Sequence, residues 1–250
     1  MKHLHPIAFM CFLLIFIAQP AVAEDPARQF INGTEAYNAG DYQTAIELFT
    51  RIADGGVRNT KLYYNLGNAH LKQDDLGRAI LWYERARRLK PGDPDLTFNY
   101  EYALSLTQDE KTETTSPLSR ILFFWKYAYS KQSIQWAALV VNALFWIVLI
   151  AYVASGKRLF KRLGAPLLFL TLLLTATAAY NYYETARIRH GVILPEQVSV
   201  RSGFSDSATE LFVLHAGTRV VVQKQSDTHF RVKYADDKIG WIPLTDIGLI

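Results

Sequence analysis

The sequence predicts a multidomain membrane protein: an all-α helical repeat region, two transmembrane helices and a small all-β barrel, in that order. Three observations carry this reading. Residues 30–56 and 64–90 share small and aromatic residues at a spacing of 34. Residues 134–154 and 165–183 contain no charged side chain. From Val192 onward, short β-branched runs alternate with turns rich in Gly, Ser and Asp.

The chain opens MKHLHPIAFMCFLLIFIAQPAVA, with Lys2, an apolar run from Ile7 to Ala18, and Ala21-Val22-Ala23 before Glu24. This is the pattern of a secretory signal peptide spanning 1–23 and cleaved after Ala23. The competing reading is an uncleaved anchor helix, against which the apolar core is short. Cys11, the only cysteine, lies in this segment. The mature chain is therefore expected to hold no thiol, disulfide or Cys-ligated metal.

Within residues 24–108, a shift of 34 places Gly33 on Gly67, Asp41 on Asp75, Ala45 on Ala79, Ile46 on Ile80, Phe49 on Tyr83 and Arg51 on Arg85. Gly and Ala let antiparallel helices approach closely, and the aromatic fills the space between them. The pattern resembles the tetratricopeptide repeat, with copies at about 26–59 and 60–93 and a capping helix over 95–107 opened by Asp93-Pro94-Asp95. The first copy is weaker: Gln29 and Ala36 stand where the family prefers large residues, and it has no closing proline. The resemblance implies a partner-binding inner face at Tyr37, Asn38, Tyr64, Asn68 and Lys72. The competing reading has the two tyrosines packing on adjacent helices, with Asn68 and Lys72 solvated. Two repeats and a cap are also fewer than usually make a stable solenoid, so a partner or a second copy of the chain is a candidate to complete the surface.

Residues 109–133 are read as a polar linker followed by an interfacial stretch with Trp125, Tyr127 and Tyr129 at headgroup depth; a partner-binding helix is the alternative. The two uncharged stretches are each long enough to cross about 30 Å of hydrocarbon at about 1.5 Å per residue. Lys157, Arg158, Lys161 and Arg162 make residues 155–164 a basic loop, which places it in the cytoplasm and residues 24–133 and 184–250 outside. Asn142, in the middle of the first stretch, either ties the two spans together or marks a site for a third helix. Neither stretch has an ionisable residue, which argues against a transport pathway. Residues 116–190 carry nine basic side chains and one acidic, whereas both flanking regions have an acidic excess. The basic surplus thus belongs to the membrane flanks, and nucleic-acid binding is not expected.

Residues 191–250 contain five β runs, QVSVR, ELFVLH, RVVVQK, HFRVKY and IGWIP. With Val200-Arg201-Ser202-Gly203, Ala216-Gly217 and Gly240-Trp241, this succession resembles the bacterial SH3 domain; His229-Phe230 departs from the Trp-Tyr common there. The resemblance implies a small barrel with a ligand surface at Phe204, His229 and Trp241, taking cell-wall peptide or a protein segment. Trp241 itself is read as a barrel-core residue ahead of a ligand platform.

The histidines outside the signal segment, His70, His190, His215 and His229, show no metal-ligand spacing. Ser202 and Ser205 fall in a strand-to-strand turn, and Asp74-Asp75 and Asp236-Asp237 fall in turns. The expectation is a protein that is no enzyme and needs no cofactor or metal. The order of segments resembles the BatE-like proteins of the Bat (Bacteroides aerotolerance) group. That resemblance implies a scaffold in a bacterial inner-membrane assembly with von Willebrand A-domain membrane proteins and a MoxR-type ATPase, linked to oxidative-stress tolerance. The residues alone imply a membrane-anchored, non-enzymatic protein-binding scaffold; the alternative is a wall-binding envelope sensor or anchor acting through the SH3-like domain.

Overall fold

A computed structural model describes residues 25–109, 121, 123–205, 207–235 and 238–250. The expected signal peptide and residues 110–120 of the expected linker lie outside the described residues. Among the described residues five helices come first: α1 (Pro26–Asn38), α2 (Tyr42–Asp54), α3 (Thr60–Lys72), α4 (Leu76–Leu89) and α5 (Pro94–Ser105). Each has a side-chain cap that the sequence supplies at its start: Asp25, Asp41, Asn59, Asp75 and Asp93 accept from backbone N–H groups of the first turn. Gly40 and Asp74 occupy equivalent places at the shift of 34, and both adopt positive φ in the turn inside each pair.

The helix pairs close on small residues. A Cβ added to Gly33 would stand 2.7 Å from the ring of Phe49, and one added to Gly67 would stand 2.4 Å from that of Tyr83. Both rings are fully buried. The period of 34 therefore reports a steric demand met twice: no side chain at one position, a large flat one sixteen residues later.

The C-terminal region forms a seven-stranded antiparallel sheet in the order β3-β2-β6-β5-β4-β1-β7. Its strands are β1 (Arg189–Ile193), β2 (Gln197–Arg201), β3 (Glu210–His215), β4 (Arg219–Gln225), β5 (His229–Tyr234), β6 (Lys238–Pro243) and β7 (Ile247–Leu249). The five expected runs are β2 to β6. The sequence reading missed β1 and β7, because the apolar end of β1 is buried continuously over Gly191, Val192 and Ile193 and shows no alternation.

That continuous burial has a cause. β1 and β7 pack against α4, so that Val192 belongs to the same core cluster as Ala79, Ile80, Leu81, Leu96 and Tyr100. The approach is close: a Cβ on Gly77 would lie 2.3 Å from the carbonyl oxygen of Leu194, and one on Gly248 would lie 2.3 Å from Leu81 Cδ2. Polar contacts rim the contact. Arg85 Nη2 donates to the Leu249 carbonyl at 2.9 Å, and Arg219 Nη1 donates to Glu84 Oε1 at 3.1 Å. Asp109, beyond α5, accepts from the His215 N–H at 2.8 Å and from the Thr218 hydroxyl.

Between repeats and sheet the described residues form a short helix, α6 (Phe124–Ala128), and two long ones, α7 (Lys131–Ser155) and α8 (Arg158–Arg187). Both long helices have the length and apolarity needed to cross a membrane. They run past the uncharged stretches at both ends, and the expected loop over 155–164 contracts to Gly156 and Lys157. Gly156 ends α7 with φ +63°, and Arg158, Lys161 and Arg162 fall in the first turns of α8. A charged residue is as compatible with a helical turn as an apolar one, so loss of apolarity did not mark the helix ends.

The buried and half-buried positions of α7 include Ile134, Ala138, Val141, Phe145, Val148 and Tyr152, and those of α8 include Gly164, Leu167, Thr171, Leu174, Ala178 and Asn181. Steps of three and four on both helices form one antiparallel seam. Asn142 is exposed beside this seam and does not tie the helices together. Thr171 and Asn181 put polar side-chain atoms inside it that are buried without a hydrogen bond among the described residues. At the open end of the hairpin, Glu184 receives Lys126 of α6 at 3.4 Å and Lys131 at 3.3 Å.

Two outcomes follow. Gly77→Val should separate α4 from the sheet, because the obstructing atoms are backbone; limited proteolysis of the full chain should show the connection after α5 cut faster, with the repeat helices retained by circular dichroism. Burial would raise the Asp75 carboxyl, but hydrogen bonds from His70, Arg78 and the Arg78 N–H outweigh it and hold it at about 2. Its contribution of up to about 2 kcal/mol should be complete above about pH 4, the unfolded value, and be lost as pH falls toward about 2. The stability gap between wild type and Asp75→Asn, measured by urea unfolding across that range, should shrink accordingly.

Candidate functional site

The first helices of successive pairs, α1 and α3, lie in register with α5 at shifts of 34. One row therefore runs Phe30, Thr34, Asn38 on α1; Tyr64, Asn68, Lys72 on α3; and Phe98, Tyr102, Leu106 on or just past α5. Four of the five expected binding residues belong to this row. Tyr37 stands one place beside it, and its ring meets Tyr42 edge-on at 5.3 Å. Burial raises the Tyr37 phenol above its ordinary value, with Tyr42 and Tyr64 adding to the effect.

The five residues divide by what they touch. Tyr83 donates from its hydroxyl to Asn68 Oδ1 at 2.7 Å; Asn99 of α5 donates to the same oxygen at 2.9 Å and to the Tyr64 hydroxyl at 2.8 Å. Tyr64 and Asn68 thus bind α4 and α5 to α3. Asn38 and Lys72 end their helices exposed to solvent.

The sequence reading treated α5 only as a cap. Carrying the shift of 34 one step further identifies Phe98, Tyr102 and Leu106, which are 76%, 54% and 48% exposed. Spaced four apart, they form an apolar stripe about 12 Å long on the same row as the amide network. Their neighbours in the heptad, Leu96, Tyr100, Ala103 and Leu104, are buried against α4, so burial of α5 is complete without the stripe. One face therefore offers hydrogen-bonding groups on α3 and bare aromatic and aliphatic groups on α5.

A second concave surface lies on the sheet. Phe204 meets Trp241 edge-on at 4.3 Å and His229 at 5.7 Å, so the three residues expected to form a ligand surface converge. With Arg201, Pro243 and Asp246 they line a crevice of about 260 Å³. Trp241 is half-buried and outside the core cluster of the sheet, contrary to its reading as a core residue. The strand decides this: Gly240 and Ile242 turn inward, so period-2 alternation sends Trp241 outward. Among the described residues no group of three or more His, Cys, Asp or Glu side chains is arranged to hold a metal ion.

Asn68→Ala should remove two hydrogen bonds and leave Tyr83 Oη buried without its acceptor, costing about 1–3 kcal/mol. Lys72→Ala should change stability by less than about 0.5 kcal/mol. Urea unfolding of the two variants separates the structural half of the row from its solvent-facing half.

A family model described as tetratricopeptide repeat matches residues 32–94, and no curated protein matches the chain. The match runs from the middle of α1 through α2, α3 and α4 to the first residue of α5; residues 32–94 are tetratricopeptide repeats, a unit that suggests protein–protein interaction.

Proposed function

We propose that the protein is a non-enzymatic, membrane-anchored scaffold in a bacterial envelope complex. Its repeat face grips a partner protein, the apolar hairpin of α7 and α8 crosses the inner membrane twice, and the repeats and the SH3-like sheet both lie on the exported side. The basic residues between the two spans then face the cytoplasm. The observation that carries the reading is the stripe of Phe98, Tyr102 and Leu106, laid bare in register with the inner face of two tetratricopeptide repeats. The mixed face suits an amphipathic helix, with apolar residues on α5 and a polar flank on α3. Similarity to the Bat group makes von Willebrand A-domain membrane proteins and a MoxR-type ATPase complex the partners of choice, with oxidative-stress tolerance as the setting.

A second reading has one specific observation in its favour. The convergence of Phe204, His229 and Trp241 on one crevice suits an SH3-like domain that binds cell-wall peptide, which would make the protein an envelope sensor or anchor.

Crosslinking of the full-length protein in intact cells, followed by mass spectrometry, tests both. Phe98→Ser with Tyr102→Ser and Leu106→Ser should lower partner recovery at least tenfold without changing the circular dichroism spectrum. Unchanged recovery removes the repeat face from the account. Recovery of wall fragments alone, abolished by Trp241→Ala, moves the function to the sheet.

A further inference from the structure

The apolar hairpin has two unlike flanks. On one, Thr177 is satisfied: its hydroxyl donates to the Leu173 carbonyl at 2.8 Å and receives Trp125 Nε1 of α6 at 3.4 Å. On the other stand Asn142 and Thr175, each one residue beyond a seam position, Val141 on α7 and Leu174 on α8. In an antiparallel pair of right-handed helices these two places fall on the same face. Both residues are exposed, and neither side chain has a hydrogen bond among the described residues. Asn142 is the twelfth of the 25 residues of α7. Resting on the membrane-spanning reading, its amide lies near the bilayer centre, where no water can satisfy it.

We infer that this flank is the interface with a second copy of the chain, the two α7 helices crossing at Asn142. An amide needs both an acceptor and a donor, and the occupant must supply them at this depth. An unrelated helix would need a polar group placed there independently. A second copy inserted with the same topology, related by a two-fold axis along the membrane normal, brings Asn142 against Asn142 by construction. Each amide then donates to the other's carbonyl oxygen. One buried asparagine among apolar neighbours fixes register and pairing, because any shift along the helix leaves both amides unmatched. Gln135 and Leu149 sit one heptad to either side of Asn142 on the same stripe and define the contact line.

The test uses the full chain in native membranes with Cys11→Ser as background. Single cysteines at Gln135 and Leu149 report the proposed flank, and Ala137 and Leu144 report the opposite one. Oxidation should give a dimer-sized product at the first two positions and none at the second two. Asn142→Leu should lower that product at least fivefold, and Asn142→Gln should retain it. Equal yields on both flanks, insensitivity to Asn142→Leu, no product, or a product with the mass of another protein would each overturn the pairing. A membrane-impermeant maleimide on Asn142→Cys distinguishes the underlying reading: labelling in intact membranes would show that α7 does not span, whereas protection without crosslinking rejects the second copy alone.

Discussion

The contact of α4 with the two outer strands of the sheet organises this molecule. A helix at the end of a repeat stack has an apolar side that the next repeat would cover, and here β1 and β7 cover it. Gly77 and Gly248 let backbone meet helix, Val192 enters the repeat core, and Arg85 and Arg219 close the rim. Apolar burial of this kind stabilises in proportion to area, and missing side chains at the contact increase the area brought together. Asp109 adds a polar latch in which one carboxylate satisfies the His215 N–H and the Thr218 hydroxyl.

This docking determines what remains available elsewhere. With one side of α4 committed to the sheet and the other to α3 and α5, the inner row of first helices is left facing solvent. Tyr64 and Asn68 are consumed in joining α3 to its neighbours, whereas Phe98, Tyr102 and Leu106 stay exposed among the described residues. On the sheet, the inward placement of Gly240 and Ile242 leaves Trp241 free to meet Phe204 on the outer surface. Adhesive surface thus survives where neither the repeat core nor the sheet core needed the side chain.

The hairpin of α7 and α8 follows a related economy. Its seam is made by residues spaced three and four apart, and α6 is held to its open end through Lys126, Lys131 and Glu184. The Pro91-Gly92 turn comes close to the same region, with a Cβ on Gly92 reaching 3.3 Å from the Ala128 carbonyl. Repeats, hairpin and sheet are therefore joined at more than one place.

Local structure was legible in the order of the amino acids. Period 34 located the helix pairs, since steric closure at Gly33–Phe49 and Gly67–Tyr83 leaves a residue-by-residue trace. Uncharged length located α7 and α8, and alternation located five of the seven strands. The tertiary structure alone decided β1 and β7, the outward turn of Trp241, the isolation of Asn142 from the seam and the bareness of the α5 stripe. The physical reason is common to these cases. Periodicity records which face of an element is apolar, but several faces here are apolar, and only the neighbour that arrives determines which of them is covered. For β1 the arriving neighbour was α4, buried against it from the side where alternation would have shown a polar residue.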